Sequence, residues 1–262
     1  MKGALNERVN VLGVGVDAVT VAELHARILG FVREGGHALV LHANVHGLNL
    51  CYRDRGLHSF FNAASLVFCD GSGVMLAAYI LGERIPERIT YADWMWQLAA
   101  FAEREGLSLF LLGARPGVAE RAAVCLRERH PDLKIAGVHH GYFDRTLGAF
   151  ENEAMIAEIN AVRPDLLLVG LGMPLQERWL MQNWDRLDAR VALTGGAVFD
   201  YVSGELKRGP RVLTDNGFEW LARLLVEPSR LWRRYVVGNP IFLVRVLVQR
   251  LTEKSSWRRR SL

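Results

Sequence analysis

The chain has 262 residues, half of them hydrophobic, and a formal net charge of +4. This length fits one large α/β domain, alone or with an appendage, and this composition can bury a sizeable core. The three cysteines have no CxxC spacing, which argues against a disulfide framework or a zinc site and favours a cytosolic setting. We expect no secretory signal, because residues 1–10 are polar, and no helix that spans a membrane, because uncharged apolar runs stay below roughly 18 residues.

The predicted elements alternate between strands and helices as far as residue 204. "RVNVLGVGVDAVT" is predicted as a strand, and Thr20 as the N-cap of a helix from Val21 to Arg33. Strand-turn-helix units follow at "HALVLHANVHGLNL", "SLVFCDGSGVMLAAYIL", "LSLFLLGARPGVAERAAVCLRERH" and "PDLLLVGLGMPLQERWL", with further strands at "LKIAGVHHGYF" and "RVALTGGAVFDYVSG". This alternation indicates an α/β fold, a mostly parallel, Rossmann-like sheet with helices on both faces.

The charge is distributed unevenly along the chain. Residues 207–262 contain 13 Lys/Arg against 4 Asp/Glu, whereas residues 1–206 contain 19 against 24. We therefore divide the chain into an α/β domain, 1–206, and a basic helical C-terminal appendage, 207–262. A basic appendage on an acidic body suggests contact with a polyanion or an anionic membrane surface, although a solvated basic helix would have the same composition.

In open α/β sheets, ligands bind beyond the carboxyl ends of the strands, so the turns there are the candidate site. Asp70 follows one buried strand and is a candidate base or substrate ligand, or alternatively a cap of the next helix. Gln176 and Glu177 could be ordinary first-turn residues of a helix. The other candidates in these turns are His42, Asn44, Gly71, Gly73, Gly113, Arg115, His139, His140, Tyr142, Gly172, Gly195, Gly196 and Asp200.

Metal and dinucleotide sites receive little support. "GVGVDA" lacks the third glycine of a dinucleotide fingerprint. His139 and His140 are adjacent and have no partner at ligand spacing, and Asp-x-Asp does not occur, so we predict neither a metal nor a cofactor. Arginines would then have to neutralise any diphosphate.

The order of the motifs resembles one family. "FCDGSGVMLAA", "ERITYAD", "LLGARPGVAE", "HHGYF", "GLGMPLQERW", "TGGAVFDYVSG", "KRGP" and "GFEWLARLLVEPSR" are together similar to the WecG/TagA/CpsF glycosyltransferases, over roughly residues 11–234. The resemblance implies a peripheral enzyme on the cytoplasmic side of the bacterial inner membrane. Such an enzyme transfers a sugar from a UDP-sugar to a polyprenyl-diphosphate-linked glycan in cell-surface polysaccharide assembly, with inversion and without metal.

The resemblance also implies roles for particular residues. Asp70 matches the general base and Arg88 an arginine beside the sugar pocket, and both are predicted as catalytic. Asn44 matches a site residue, Gln176 the glutamine that contacts the donor, and the appendage supplies arginines for the diphosphate. The predicted substrate-binding residues are His42, Asn44, Gly113, Gln176, Arg223, Arg230 and Arg233.

Some positions depart from the family pattern, namely His42 for a common threonine, Thr90-Tyr91 for a usual glycine and Leu175 for a common lysine. They lie around the sugar pocket, so the donor stays open between UDP-glucuronic acid, a UDP-N-acetylmannosamine type and another UDP-hexose. The segment "PIFLVRVLVQRL" is predicted as an interfacial helix with Trp232, Tyr235 and Trp257 as anchors, or as a helix that packs on the body or on another subunit.

Two other functions stay open at this point. A nicotinamide oxidoreductase would need the missing dinucleotide fingerprint. A non-catalytic membrane-binding module would explain the basic appendage but would leave Asp70 and Gln176 without a role. We predict no nucleic-acid partner, and a homo-oligomer is possible.

Overall fold

The computed structural model describes residues 8–215 and 217–260. Its strands are β1 Arg8–Val11, β2 Val14–Asp17, β3 Ala38–Ala43, β4 Leu66–Cys69, β5 Ser108–Gly113, β6 Lys134–His139, β7 Leu166–Gly170 and β8 Val191–Thr194. Its α-helices are α1 Val21–Arg33, α2 Val45–Cys51, α3 Arg55–Ala63, α4 Ser72–Leu81, α5 Tyr91–Glu105, α6 Val118–Arg129, α7 Phe150–Val162, α8 Leu175–Asn183, α9 Val198–Val202, α10 Arg211–Asp215, α11 Glu219–Val226, α12 Pro228–Trp232 and α13 Gly238–Arg260. A 3₁₀ turn, Trp184–Arg186, follows α8, and a π-helical segment, Arg233–Val237, joins α12 to α13.

Strands β3 to β8 form one parallel sheet in the order β4-β3-β8-β7-β5-β6. Strands β3, β4, β7 and β8 are buried along their whole length, as expected when helices cover both faces of a parallel sheet. Two clusters of buried hydrophobic side chains form the core. The predicted α/β fold with a Rossmann-like parallel sheet is confirmed.

The first predicted strand is two strands. β1 and β2 pair antiparallel as a hairpin. Its two-residue turn, Leu12 and Gly13, has φ angles of 54° and 86°, the left-handed conformation that such tight turns require. The GxG motif therefore lies in a hairpin and not in a strand-to-helix turn of the parallel sheet. Helix α1 does begin as predicted, because Thr20 and Glu23 form a reciprocal capping box.

The C-terminal segment packs on the α/β body. Phe242 and Val246 of α13 are buried in the same core cluster as residues of β3 and α4. Gln249 accepts a hydrogen bond from the Leu12 amide at 2.8 Å and donates one to the Asn10 carbonyl at 2.9 Å. Within the described ranges, no helix is long and apolar enough to cross a membrane. The division at residue 206 stays a prediction, and the last helix contributes to the common core.

Candidate functional site

A cleft of about 1620 Å³ lies beyond the carboxyl ends of β3, β4, β7 and β8. The strand-end turns form one wall of this cleft, and α11, α12 and the π segment form the other. Parallel pairing places all the strand ends at one edge of the sheet, so residues far apart in the sequence meet there. Asn44, Asp70 and Gly196 line the first wall, and Arg223 and Arg234 line the second.

Asp70 follows β4 directly, and its backbone amide donates to the Ala43 carbonyl at 2.9 Å. The cap of the next helix is Gly71, which has no side chain, so the alternative role of Asp70 as a helix cap is not observed. Burial raises the pKa of Asp70 to about 7, and the Glu219 carboxylate adds to this shift, while Arg223 and Arg234 oppose it. A carboxyl group with a pKa near neutrality is suited to accept a proton.

His42 lies beside Asp70 on the neighbouring strand. Its Nδ1 is 2.7 Å from the Thr194 carbonyl and 3.0 Å from the Thr194 hydroxyl, and its Nε2 is 3.8 Å from Oδ2 of Asp70. The ring is buried, and burial lowers the pKa of His42 to about 4. His42 is therefore neutral at physiological pH.

Two other predicted site residues have structural contacts. Asn44 lines the cleft, and its Oδ1 caps α2 by accepting from the Gly47 amide at 3.0 Å. Gly113 is not among the cleft-lining residues. At φ 149°, its Cα faces the β7 backbone so closely that a Cβ would come within 2.3 Å of the Gly170 oxygen. The strand spacing at this position therefore requires glycine.

Gln176 is fully buried behind the cleft wall. Its Oε1 accepts from the amides of Gly172 at 3.2 Å and Gly196 at 3.0 Å, and its Nε2 donates to Glu177 at 2.8 Å. This amide joins the turn after β7 to the turn after β8. Gln176 is not among the cleft-lining residues, and its contact with a donor stays a prediction. Burial raises the pKa of Glu177 to about 7.

The four predicted arginines have different positions relative to the cleft. Arg88 donates to the Ser72 hydroxyl at 3.2 Å and to the Thr214 carbonyl at 2.9 Å, which links the body to the C-terminal segment. Arg223 and Arg230 line the cleft, and each forms an ion pair with Glu227, at 3.9 and 3.0 Å. Arg233 is exposed, lies over the Trp232 ring and does not line the cleft.

Arg234 is the site residue that sequence reasoning missed. It lines the cleft, its Nε is buried without a hydrogen-bond partner, and it forms no ion pair with any described residue. Nε of Arg223 is also buried and unpartnered. Burial and the nearby Arg223 lower the pKa of Arg234, while Asp70 opposes this shift. Helical spacing carried no signal for it, because the break at Glu227 and the π-helical segment separate Arg234 from the helix that contains Arg223.

Metal ligation has no visible basis in the part of the chain that the structure describes. No group of three or more His, Cys, Asp or Glu side chains is placed there so that it could hold a metal ion. The positive charge in the cleft comes from arginines.

Comparison with known proteins gives the family of this chain. The profile of the family described as "Glycosyl transferase WecG/TagA/CpsF family" matches residues 9–256. Two similar proteins come from Staphylococcus aureus strains MRSA252 and NCTC 8325 / PS 47, and each is named N-acetylglucosaminyldiphosphoundecaprenol N-acetyl-beta-D-mannosaminyltransferase. Each is 29% identical over 241 residues, which cover 91% of this chain and 92% of the relative. The chain thus belongs to the WecG/TagA/CpsF family of glycosyltransferases.

Proposed function

We propose that this enzyme transfers a sugar from a UDP-sugar to a polyprenyl-diphosphate-linked glycan, with inversion at the anomeric carbon and without a divalent metal. The observation that carries the proposal is a pair of partly buried arginines, Arg223 and Arg234, each with a buried Nε that has no hydrogen-bond partner, which line the same cleft as Asp70. Neither alternative fits these findings. The GxG motif lies in the β1–β2 hairpin, and a non-catalytic membrane module is at odds with membership of a glycosyltransferase family.

The arginines form a binding site for a diphosphate. A buried guanidinium N–H without an acceptor costs free energy in the free enzyme, and a diphosphate that accepts hydrogen bonds from both groups offsets that cost. Arg230 adds a more exposed positive charge at the same wall. The same groups would stabilise the charge that grows on departing UDP, the role that a metal has in other glycosyltransferases.

Asp70 is the base in this proposal. It lies at a strand end inside the cleft, with its pKa raised to about 7 by burial. It takes the proton of the acceptor hydroxyl while the acceptor oxygen bonds to the anomeric carbon, and the bond from that carbon to the diphosphate breaks. A single in-line displacement with one base inverts the anomeric centre.

The acceptor is a lipid, so the enzyme must work at a membrane surface. The side chains of Val244, Leu247, Val248 and Leu251 on α13 are exposed, as is Trp232. This apolar face, together with the basic composition of residues 207–262, supports contact with an anionic bilayer. Tyr235 is buried in the cleft wall and is not an interface anchor, and the side chain of Trp257 lies outside the described part.

The relatives' names make N-acetylmannosamine the first donor to test and an N-acetylglucosamine-diphosphate lipid the first acceptor. The experiment measures UDP release from UDP-N-acetylmannosamine, UDP-glucuronic acid and other UDP-hexoses, with a GlcNAc-diphosphoprenyl acceptor, in buffer that contains EDTA. NMR of the product then gives the anomeric configuration. Turnover that requires Mg²⁺ or Mn²⁺, or a product with retained configuration, contradicts the corresponding part of the proposal.

A further inference from the structure

The protonation of the His42 ring follows from its contacts. A backbone carbonyl can only accept a hydrogen bond, so Nδ1, which is 2.7 Å from the Thr194 carbonyl, carries the hydrogen. In the neutral ring, Nε2 then has the lone pair. Nε2 lies 3.8 Å from Oδ2 of Asp70.

Two lone pairs that face each other in a buried site repel, and a proton between them converts the repulsion into a hydrogen bond. The present distance is longer than such a bond, and a movement of about 1 Å closes it, as commonly happens when a substrate completes a site. The edge of the Tyr91 ring packs against His42 with ring centroids 5.4 Å apart, which limits other orientations of the imidazole.

We propose that His42 is a positioning residue for the base: its Nε2 lone pair favours the protonated form of Asp70 and so increases the proton affinity of this carboxylate. The proposal rests on the proposed function for its catalytic meaning. When the acceptor O–H bond breaks, the proton moves to Asp70, and the new carboxyl O–H donates to Nε2. His42 itself touches neither reacting carbon nor oxygen.

Other groups around the pair also influence its charge, and an experiment must separate them. Burial raises the pKa of Asp70 strongly, while the nearby Thr90 hydroxyl lowers it. The Arg234 guanidinium lowers the pKa of His42. The titratable and charged groups that face the pair are Tyr91 of α5, Tyr201 of α9, Glu219 and Arg223 of α11, and Arg234 of the π segment.

Two substitutions distinguish an effect of the Nε2 lone pair on Asp70 from an effect of side-chain packing. His42→Asn keeps an amide donor near the Thr194 carbonyl and removes Nε2. His42→Gln places an amide N–H near the position of Nε2, where it donates to the carboxylate and favours its ionised form. The matched control is His25→Asn. His25 is another histidine whose pKa burial lowers to about 4, but it accepts from Trp94 Nε1 at 2.9 Å and is not among the cleft-lining residues.

The primary measurement is the titration of Asp70 by NMR of protein labelled with ¹³C at aspartate Cγ, with the Asp70→Asn spectrum as the assignment. We expect the pKa of Asp70 to fall by about one pH unit in His42→Asn, to fall further in His42→Gln, and to stay unchanged in His25→Asn. An unchanged or higher pKa in His42→Gln overturns the proposal. In wild-type protein, a ¹⁵N spectrum that shows Nε2 of His42 protonated at pH 8 overturns it as well, and this readout needs no variant.

The kinetic measurement tests whether the same shift in the pKa of Asp70 changes turnover. In His42→Asn the acid limb of the kcat/KM profile should move about one unit lower in pH, while kcat on the plateau falls about 3- to 10-fold because the base is weaker. A purely structural role lowers the rate equally at all pH values and leaves the limb in place, which overturns the proposal. The NMR titrations need no turnover, so a failure of every donor in the UDP-sugar panel refutes the proposed function without deciding this one.

Discussion

Replacing Arg234 by methionine separates binding from stability. The side chain is a partly buried cation that forms no ion pair with a described residue, and its neighbour Arg223 has the same charge. Methionine keeps most of the volume and removes the charge. The free enzyme should therefore become more stable, while the complex with UDP should become weaker. Arg233→Met is the matched control, because Arg233 is adjacent in sequence but is exposed and does not line the cleft.

The expected changes in UDP affinity and in Tm follow from the surroundings of Arg234 in the UDP complex and in the free enzyme. A hydrogen bond to a charged group contributes about 1.5–3 kcal/mol, so the dissociation constant of UDP should rise by about 10- to 150-fold in Arg234→Met. Replacing buried ion pairs by apolar groups of similar volume is neutral or stabilises proteins by about 1–4 kcal/mol. Arg234 borders an open cleft, so the lower end applies, and the Tm of the free enzyme should rise by about 2–4 °C.

Calorimetric titration with UDP and thermal unfolding with and without UDP measure both effects. We expect Arg234→Met to have a higher Tm alone and a smaller UDP-induced shift than wild type, and Arg233→Met to match wild type in both. The reasoning is refuted if Arg233→Met weakens UDP binding more than Arg234→Met does, or if Arg234→Met binds UDP as tightly as wild type.

Three further predictions concern the base, the metal and a buried carboxyl group. Asp70→Asn should lower kcat by at least about 100-fold while the dissociation constant of UDP stays within about 3-fold of wild type, and a kcat above a tenth of wild type removes the base role. Turnover should persist in excess EDTA, and a loss that Mn²⁺ restores contradicts this. Burial raises the pKa of Glu177 in the folded state to about 7, above the usual 4.5 of a glutamate. Protonation of Glu177 therefore stabilises the fold fully below pH 4.5, and this contribution is lost as the pH rises through 7. Urea unfolding should therefore show that the loss of stability from pH 5 to pH 8 is smaller in Glu177→Gln by roughly 2–3 kcal/mol, and an equal loss in both proteins contradicts the assignment.

Local patterns determined the elements of the sheet. Short apolar runs followed by glycine turns and amphipathic stretches are what a covered parallel sheet requires, so the strand-helix alternation was readable without any long-range information. The Thr20 cap was readable for the same reason, because a capping box involves only four consecutive residues. The β1–β2 hairpin was missed because Leu12, unlike asparagine or glycine, is an unusual residue in a left-handed turn.

The order of the motifs predicted which turns border the cleft, but it did not predict what each side chain contacts. Gln176 lies in the predicted turn, yet it bonds to the amides of Gly172 and Gly196 and so joins two turns that are distant in sequence. The sequence contains no information on which way an amide in a helix's first turn points, because backbone groups from another strand end decide it.

The sequence by itself determined the fold class, the edge of the sheet where the site lies, Asp70 at that edge and the family. Only the tertiary structure decided which arginines face the cleft and how His42 is oriented. Arg233 and Arg234 are two adjacent arginines that the sequence does not distinguish, and the docking of the C-terminal segment leaves Arg234 partly buried in the cleft wall and Arg233 exposed. Likewise, the Thr194 carbonyl on β8 fixes the hydrogen on Nδ1 of His42. In both cases a group remote in sequence sets the local charge, and such contacts exist only once the strands and helices have packed.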